Sequence, residues 1–488
     1  MESNLKSQLE LLEKQLQQGS ALNSIFDSLG EFLSNSEYQL ILYMIEKKVW
    51  AGANPPPPPG FKPDKGSVDF GLFLYWFNNP SQLNLSQFDP WKRVVFDLLL
   101  FYLIDNKYLP ATQITTINYG FFTSGGELIY SDGSVLSTEQ YANYDQGWFV
   151  AFLNLLITNL HGLWYNDGKF PTTTPPQINL VGAQPNTVTI AILGDCGAGN
   201  AASDAVFTSI KGLKPDYLLH VGDVYYGGTP QESQPTGDKY FAPGEEMENL
   251  IKRWPTGYNG KSFTLNSNHE MYSGANGLFY DAYGSPIFSA HQNASCFALK
   301  FGGWTLLGLD SAFNGTSLDA FMSGNLGDTS DFQVPWIQGL RLDPNKTIVF
   351  THHNGFADDC SSVADLWGQL NHALKGDPFA WYWGHVHNGI VYDRPISIPS
   401  NTAKPVLTTN TYARCLGHAA LPYGPASSLN GQPIAYKANN LQPTPSKQLY
   451  NGFALLTLTQ QNGVMTGIQE AFYDVSNQPQ PVYQKTLL

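Results

Sequence analysis

Seven side chains able to bind metal stand in order along this 488-residue chain: Asp195, Asp223, Tyr226, Asn268, His352, His385 and His387. Each lies at the end of an apolar, strand-like run: TIAILGDCG, YLLHVGDVYY, SFTLNSNHE, TIVFTHH and AWYWGHVH. Open α/β sheets present their ligand-binding loops at the carboxyl ends of their strands. Five such loops carrying carboxylate, phenol, amide and imidazole groups predict a site for two metal ions and hydrolytic chemistry. The chain has no G-x-S-x-G nucleophile and no Walker-type phosphate loop. The predicted nucleophile is therefore a water made acidic by metal, not a side chain.

The order and spelling of these loops resemble the calcineurin-like metallophosphoesterase superfamily and, within it, the purple acid phosphatases. Gly194-Asp195-Cys196-Gly197 corresponds to GDxG, and Gly222-Asp223-Val224-Tyr225-Tyr226 to GDxxY. Asn268-His269-Glu270 matches GNHE except that Ser267 replaces the glycine. Val349-Phe350-Thr351-His352 matches VxxH, and Gly384-His385-Val386-His387 matches GHxH. The resemblance covers roughly residues 186 to 475. It implies an α/β (α+β) catalytic domain over 186–488, built as two packed β-sheets flanked by helices.

The resemblance also implies a ligand set. Asp195, Tyr226 and His387 would hold one ion, Asn268, His352 and His385 the other, and Asp223 would bridge them. Two histidines two residues apart in GHVH can serve neighbouring ions from one turn. Most of the superfamily has a histidine where Gly197 stands, and Tyr226 is the replacement that purple acid phosphatases use. A phenol keeps its proton to about pH 10 unless a strong Lewis acid removes it. The pairing of Gly197 with Tyr226 therefore implies Fe(III) in the first site, with a divalent Fe, Zn or Mn ion in the second. The other reading of Tyr226 is a packing residue beside Tyr225. With a trivalent ion the centre keeps a net positive charge that attracts phosphate; an all-divalent centre would be neutral.

The implied reaction is hydrolysis of phosphate monoesters by in-line attack of a metal-activated hydroxide, as in an acid phosphatase acting on a small phosphorylated substrate. His269, beside Asn268, is the first choice for protonating the leaving alkoxide, and His353, beside His352, the second. Arg414 and His418, in YARCLGHAALPYG, are candidates for substrate binding along with Asn268 and His269; a surface loop is the alternative for Arg414 and His418. Glu270 is expected to orient its loop, and His220 and Asp310 to be structural. Two other functions fit the same motifs: a phosphodiesterase using the same centre, and a metal-holding interaction protein with little turnover.

Composition bounds the remainder. The apolar fraction of 42% is ample for a large core, and the length predicts two or three domains. The net charge of −14 and the lack of a basic stripe argue against gripping nucleic acid. No run is apolar enough to span a membrane: VVFDLLLFYLI is short and contains Asp97, and the run Trp148–Trp164 is interrupted by Asn154, Asn159 and His161. The opening residues Met1-Glu2-Ser3-Asn4 do not spell a secretory leader, so a complete chain is expected to be cytoplasmic, and a chain shorn of its leader secreted. The four cysteines are expected to be separate buried thiols.

Residues 1–54 are expected to form a helical segment, with Leu5, Leu9, Leu12 and Leu16 on one face. Pro55–Pro59 form a stiff break. Residues 60–180 read as an aromatic-rich accessory domain of helices and short strands, either a cap over the site or a packing unit. Near residue 302 the run CFALKFGGWTLLGLD predicts a hairpin.

Overall fold

The computed structural model describes residues 120–122, 127–130, 135–137, 146–317, 320–398, 407–421, 429, 434–442 and 449–488. The expected helical segment 1–54, the proline break and most of the expected accessory domain lie outside these residues. The described residues divide into two compact units. One takes in those up to Leu160 with Asp238–Ala242 and Ser317–Ala320; the other comprises His161–Gly237, Pro243–Thr316 and Phe321–Leu488.

In the first unit, strands β1 (Gly120–Phe122), β2 (Glu127–Tyr130) and β3 (Val135–Ser137) form an antiparallel meander. Helix α1 (Gln146–His161) begins in this unit. The buried Asn154 amide donates to Phe241 O (3.0 Å) and accepts from Phe241 N (2.8 Å), which satisfies the backbone of the 238–242 segment. No helix among the described residues is long and apolar enough to cross a membrane.

The second unit is a two-sheet sandwich. Among the described residues one sheet has eight strands, in the order β16 (Ile434–Lys437), β12 (Gly389–Tyr392), β15 (Tyr412–Leu416), β11 (Ala380–Trp383), β10 (Thr347–Thr351), β9 (Trp304–Gly308), β8 (Phe297–Phe301), β4 (Gln177–Asn179). The other has six: β19 (Tyr483–Thr486), β18 (Val464–Asp474), β17 (Gly452–Gln461), β5 (Thr187–Leu193), β6 (Tyr217–His220), β7 (Ser262–Thr264). A separate antiparallel pair joins β13 (Ile396–Ile398) to β14 (Leu407–Thr409).

Side-chain alternation explains why the strand sequences are apolar almost throughout. Ile348 and Phe350 of β10, and Ala380 and Tyr382 of β11, point into the core between the sheets. Val349, Trp381 and Trp383 point the other way. They pack there against α4 (Gln333–Leu340) and α5 (Asp365–Leu374), through Val334, Ile337, Leu366, Trp367 and Leu370. Strands covered on both faces have no need of a polar alternate residue. On the six-stranded sheet α2 (Ala201–Leu213) connects β5 to the parallel β6. Asn200 and Ser203 form a reciprocal capping box at its start.

The hairpin expected near residue 302 is β8–β9, with Phe301 opposite Trp304. Gly302 and Gly303 both have positive φ (57° and 77°), as a tight two-residue turn between twisted strands requires. The C-terminal runs form the long antiparallel β17–β18 pair, and β17 also pairs antiparallel with β5. Strands β5, β6 and β7 are mutually parallel, as are β9, β10, β11 and β15. The carboxyl ends of both parallel sets carry the loops singled out by their chemistry.

Candidate metal centre

Asp195 follows β5, Asp223 follows β6 and Asn268 follows β7. His352 follows β10, and His385 and His387 follow β11. All six are within the second unit. Asp195, Asp223 and His385 have positive φ (61°, 81° and 65°), a region that L-residues rarely occupy. Three such residues at one site are strain held by the surrounding sheet ends, as functional loops often show. Gly222, at φ 101°, has no room for a side chain: a Cβ there would meet His352 Nδ1 and Ser267 Cβ at 2.9 Å.

The ring of His352 shows what the site is built for. Its Nδ1 lies 2.9 Å from Val221 O, a pure acceptor, so Nδ1 carries the proton and Nε2 presents a lone pair. That lone pair faces Asn268 Oδ1 at 2.9 Å, Asp223 Oδ1 at 3.2 Å and His385 Nδ1 at 3.2 Å. His385 Nδ1 is also 3.2 Å from Asn268 Oδ1. Asn268 uses its Nδ2 end to donate to Tyr272 Oη (3.1 Å), which leaves its oxygen facing the imidazoles. Asp223 Oδ1 is buried without a hydrogen-bond partner. His352 Nε2, Asn268 Oδ1 and Asp223 Oδ1 are acceptors converging in a buried site, with His385 Nδ1 beside them; such a donor set fits a metal ion.

A second cluster adjoins the first. His387 Nε2 lies 3.2 Å from Asp195 Oδ1 and 3.6 Å from Asp223 Oδ2. Asp195, Asp223 and His352 together form one group with metal-binding geometry, and His352, His353 and His385 another. Burial first, and then the charge of Asp223, raise the Asp195 carboxyl above its usual range. Burial would raise Asp223 too, but the imidazoles of His352 and His269 outweigh it and hold that carboxyl well below normal. Burial lowers His352 to about 4 and His385 well below its usual value, which keeps both rings neutral and able to donate a lone pair.

A tyrosine that the motif comparison did not single out, Tyr225, stands at this centre beside the expected Tyr226. Tyr225 is fully buried, and its Oη lies 2.9 Å from Asp223 Oδ2, 3.0 Å from His387 Nε2 and 3.4 Å from Asp195 Oδ1. The Tyr226 backbone also ties into the site: its N–H donates to Glu245 Oε1 (2.7 Å), and its C=O accepts from His269 Nδ1 (2.7 Å).

His269 and His353 also part company. His269 Nδ1 is tied to Tyr226 O, and its Nε2 is directed at Asp223 Oδ2, 4.0 Å away. His353 has both nitrogens engaged, Nδ1 with Ser311 Oγ at 2.9 Å and Nε2 with Phe321 O at 2.7 Å. Burial lowers its pKa to about 3. A ring so occupied fixes the 321 loop, an arrangement that favours His269 over His353 as the proton donor.

Arg414 and His418 are corrected as well. Arg414 is fully buried between the sheets, where its guanidinium meets both carboxylate oxygens of Glu470 at 2.6–2.9 Å. Its remaining N–H groups reach Tyr392 O and Ala413 O, and Tyr382 Oη donates to Glu470 Oε2. Tyr412, Arg414 and Leu416 share one strand parity, as do Ile468, Glu470 and Phe472. With the flanking members of both triplets in the inter-sheet core, that alternation was the available signal. The His418 ring is buried against Gly389 and Gly452, where an added Cβ would approach it to 2.5 and 2.6 Å. It is not a surface residue.

Ser267, which replaces the usual glycine, caps α3 (Asn268–Tyr272). Its Oγ accepts from His269 N (3.0 Å) and its hydroxyl donates to Glu270. His220 bonds Thr264 Oγ1 (2.9 Å), and Asp310 accepts from Ala312 N and Phe313 N; both are structural. All four cysteines are buried and free.

Residues 188–389, which carry every one of these loops, match the family model for calcineurin-like phosphoesterases. This part of the chain is a calcineurin-like phosphoesterase domain. Proteins with such domains bind divalent metals and in general hydrolyse phosphoesters. Among solved structures, the chain is similar to GAP50, the anchor in the inner membrane complex of Plasmodium, at 11% identity and a TM-score of 0.42, covering 62% of this chain and 88% of that one. It is also similar to a hypothetical protein from Thermus thermophilus, at 14% identity and a TM-score of 0.29, covering 59% and 99%. No curated protein matches the chain.

Proposed function

We propose that the phosphoesterase domain is a hydrolase of phosphate monoesters, working with two metal ions in the manner of a purple acid phosphatase. The observation that carries this reading is the convergence of His352 Nε2, Asn268 Oδ1 and Asp223 Oδ1, with His385 Nδ1 beside them, next to the carboxylate of Asp195. Asn268, His352 and His385 would hold one ion, Asp195, Tyr225 and His387 the other, and Asp223 would face both. Bound there, two cations would neutralise phosphoryl oxygens and lower the pKa of water to give the nucleophile.

The chain's own residues supply the rest. The backbone N–H of His385 donates to Asp195 Oδ2 (3.1 Å) and fixes that carboxylate. Val221 O sets the tautomer of His352. His269 keeps its Nδ1–H on Tyr226 O, so the proton it would give to the leaving oxygen is the one that the fully protonated ring carries at Nε2. If Tyr225 is ionised by the first ion, that ion is Fe(III), and the protein is coloured.

Metal content and a visible spectrum, taken with rates on an aryl phosphate monoester and the matching diester, test the proposal. Iron with a second metal, colour and faster monoester cleavage are expected. Faster diester cleavage would overturn the monoester assignment. Two divalent ions in a colourless protein would remove iron(III), and no metal-dependent cleavage of either ester would remove the hydrolase.

A further inference from the structure

We infer that Glu245, outside every recognised motif, is a positioning residue that sets the working orientation of His269; the inference rests on the hydrolase reading above. Glu245 is buried, and its carboxylate collects donors from one short loop. Oε1 accepts from Tyr226 N (2.7 Å), and Oε2 from Gly227 N (2.8 Å), Thr229 N (3.4 Å) and Thr229 Oγ1 (3.3 Å). Its own N–H donates to Thr229 Oγ1 (3.2 Å). One turn further on, Asn249 Nδ2 donates to Tyr225 O (2.6 Å). The loop that runs on from Asp223 is thus pinned by two side chains, Asn249 as a donor to Tyr225 O and Glu245 purely as an acceptor from Tyr226, Gly227 and Thr229.

The key unit is the peptide joining Tyr226 to Gly227. Its N–H donates to Glu245 Oε2, and its C=O, at the opposite edge, accepts from His269 Nδ1. Glu245 and His269 therefore hold the two ends of one rigid plane. The carboxylate polarises the peptide toward a better acceptor and stops it from rotating. His269 then has one permitted arrangement, with Nδ1–H on the carbonyl and Nε2 directed at the metal centre. Glutamine at position 245 would keep one acceptor oxygen but set an NH₂ group against at least one N–H donor. The peptide would turn, and the His269 ring with it.

A general acid matters only where the leaving group needs a proton. Glu245→Gln should therefore retain both metals, the KM and the rate on p-nitrophenyl phosphate, whose leaving group departs unaided. It should lower kcat about tenfold on glycerol 2-phosphate, a fraction of the roughly 10²–10⁴ that a general acid supplies. In a His269→Ala background the same change should cost nothing more, because both act through one group. Equal losses on the two esters, or losses that multiply with His269→Ala, would overturn the role. If Glu245→Gln does not fold, Thr229→Val, which removes one donor to the carboxylate, should show the same selectivity in smaller measure. The ¹⁵N signals of the His269 ring report the Nδ1–H tautomer without turnover; an unchanged tautomer in the variant would overturn the inference. Absence of turnover in the wild type with metals bound would instead remove the hydrolase reading, and the ring signals would still decide whether Glu245 sets the ring.

Discussion

Two buried polar regions of the second unit invite comparison: the Arg414–Glu470 network between the sheets, and the loops at the strand ends. Both are rich in charged groups shielded from water. In the first, donors meet acceptors throughout, since the guanidinium faces a carboxylate, two carbonyls complete its shell and a tyrosine hydroxyl adds a further bond. In the second, three acceptors, His352 Nε2, Asn268 Oδ1 and Asp223 Oδ1, converge with His385 Nδ1 beside them. A self-satisfied network stabilises one fold, whereas an electron-rich cluster needs a cation. Burial alone does not separate the two kinds; the balance of donors and acceptors does.

Asp223→Asn should break the comparison most severely. Replacing a shared carboxylate by a neutral amide should release both ions and bring turnover down to background. Retention of both metals at the wild-type rate would refute its shared position. Next comes His269→Ala, expected to preserve metal content while reducing kcat by roughly 10²–10⁴-fold on alkyl phosphates; unaltered rates would remove His269 from the chemistry. Arg414→Met should do the reverse. Leaving Glu470 unpaired in the core should cost about 3–5 kcal/mol of stability in denaturant unfolding, while KM for phosphate esters stays the same in the folded protein. A raised KM with full stability would return Arg414 to the substrate. The smallest and sharpest change concerns the two phenols: Tyr225→Phe should abolish any tyrosinate–iron absorption, and Tyr226→Phe should preserve it. The opposite result would restore Tyr226 as the phenol at the centre.

The strand-end loops were legible because a ligand type, a strand before it and a fixed order coincide five times in the chain. The sandwich was legible too, since runs such as TIVFT and AWYW are apolar at both parities, as strands covered on both faces must be. The place of Tyr225 was not, because the motif spelling points to the next residue and only the course of the loop brings the Tyr225 hydroxyl to Asp223 and His387. Arg414 was misplaced for a different reason. A guanidinium beside a metal-loop sequence suggests phosphate, and only the parity it shares with Tyr412 and Leu416 points inward. Glu245 had no signal at all, since its partners are backbone N–H groups that any sequence provides.

The pairing of β5 with β17 joins the strand that leads to Asp195 with residues 452–461. During synthesis β5 emerges long before its neighbour exists, and meanwhile one whole edge of a strongly apolar strand has no partner. Closure of a loop that long is slow relative to local pairing. A nascent chain halted before Gly452 would expose that edge to other chains, and such edges seed aggregation. Synthesis through β17 is therefore a condition for a quiet molecule, and chains ending before Gly452 should be lost to precipitation before their activity can be assayed.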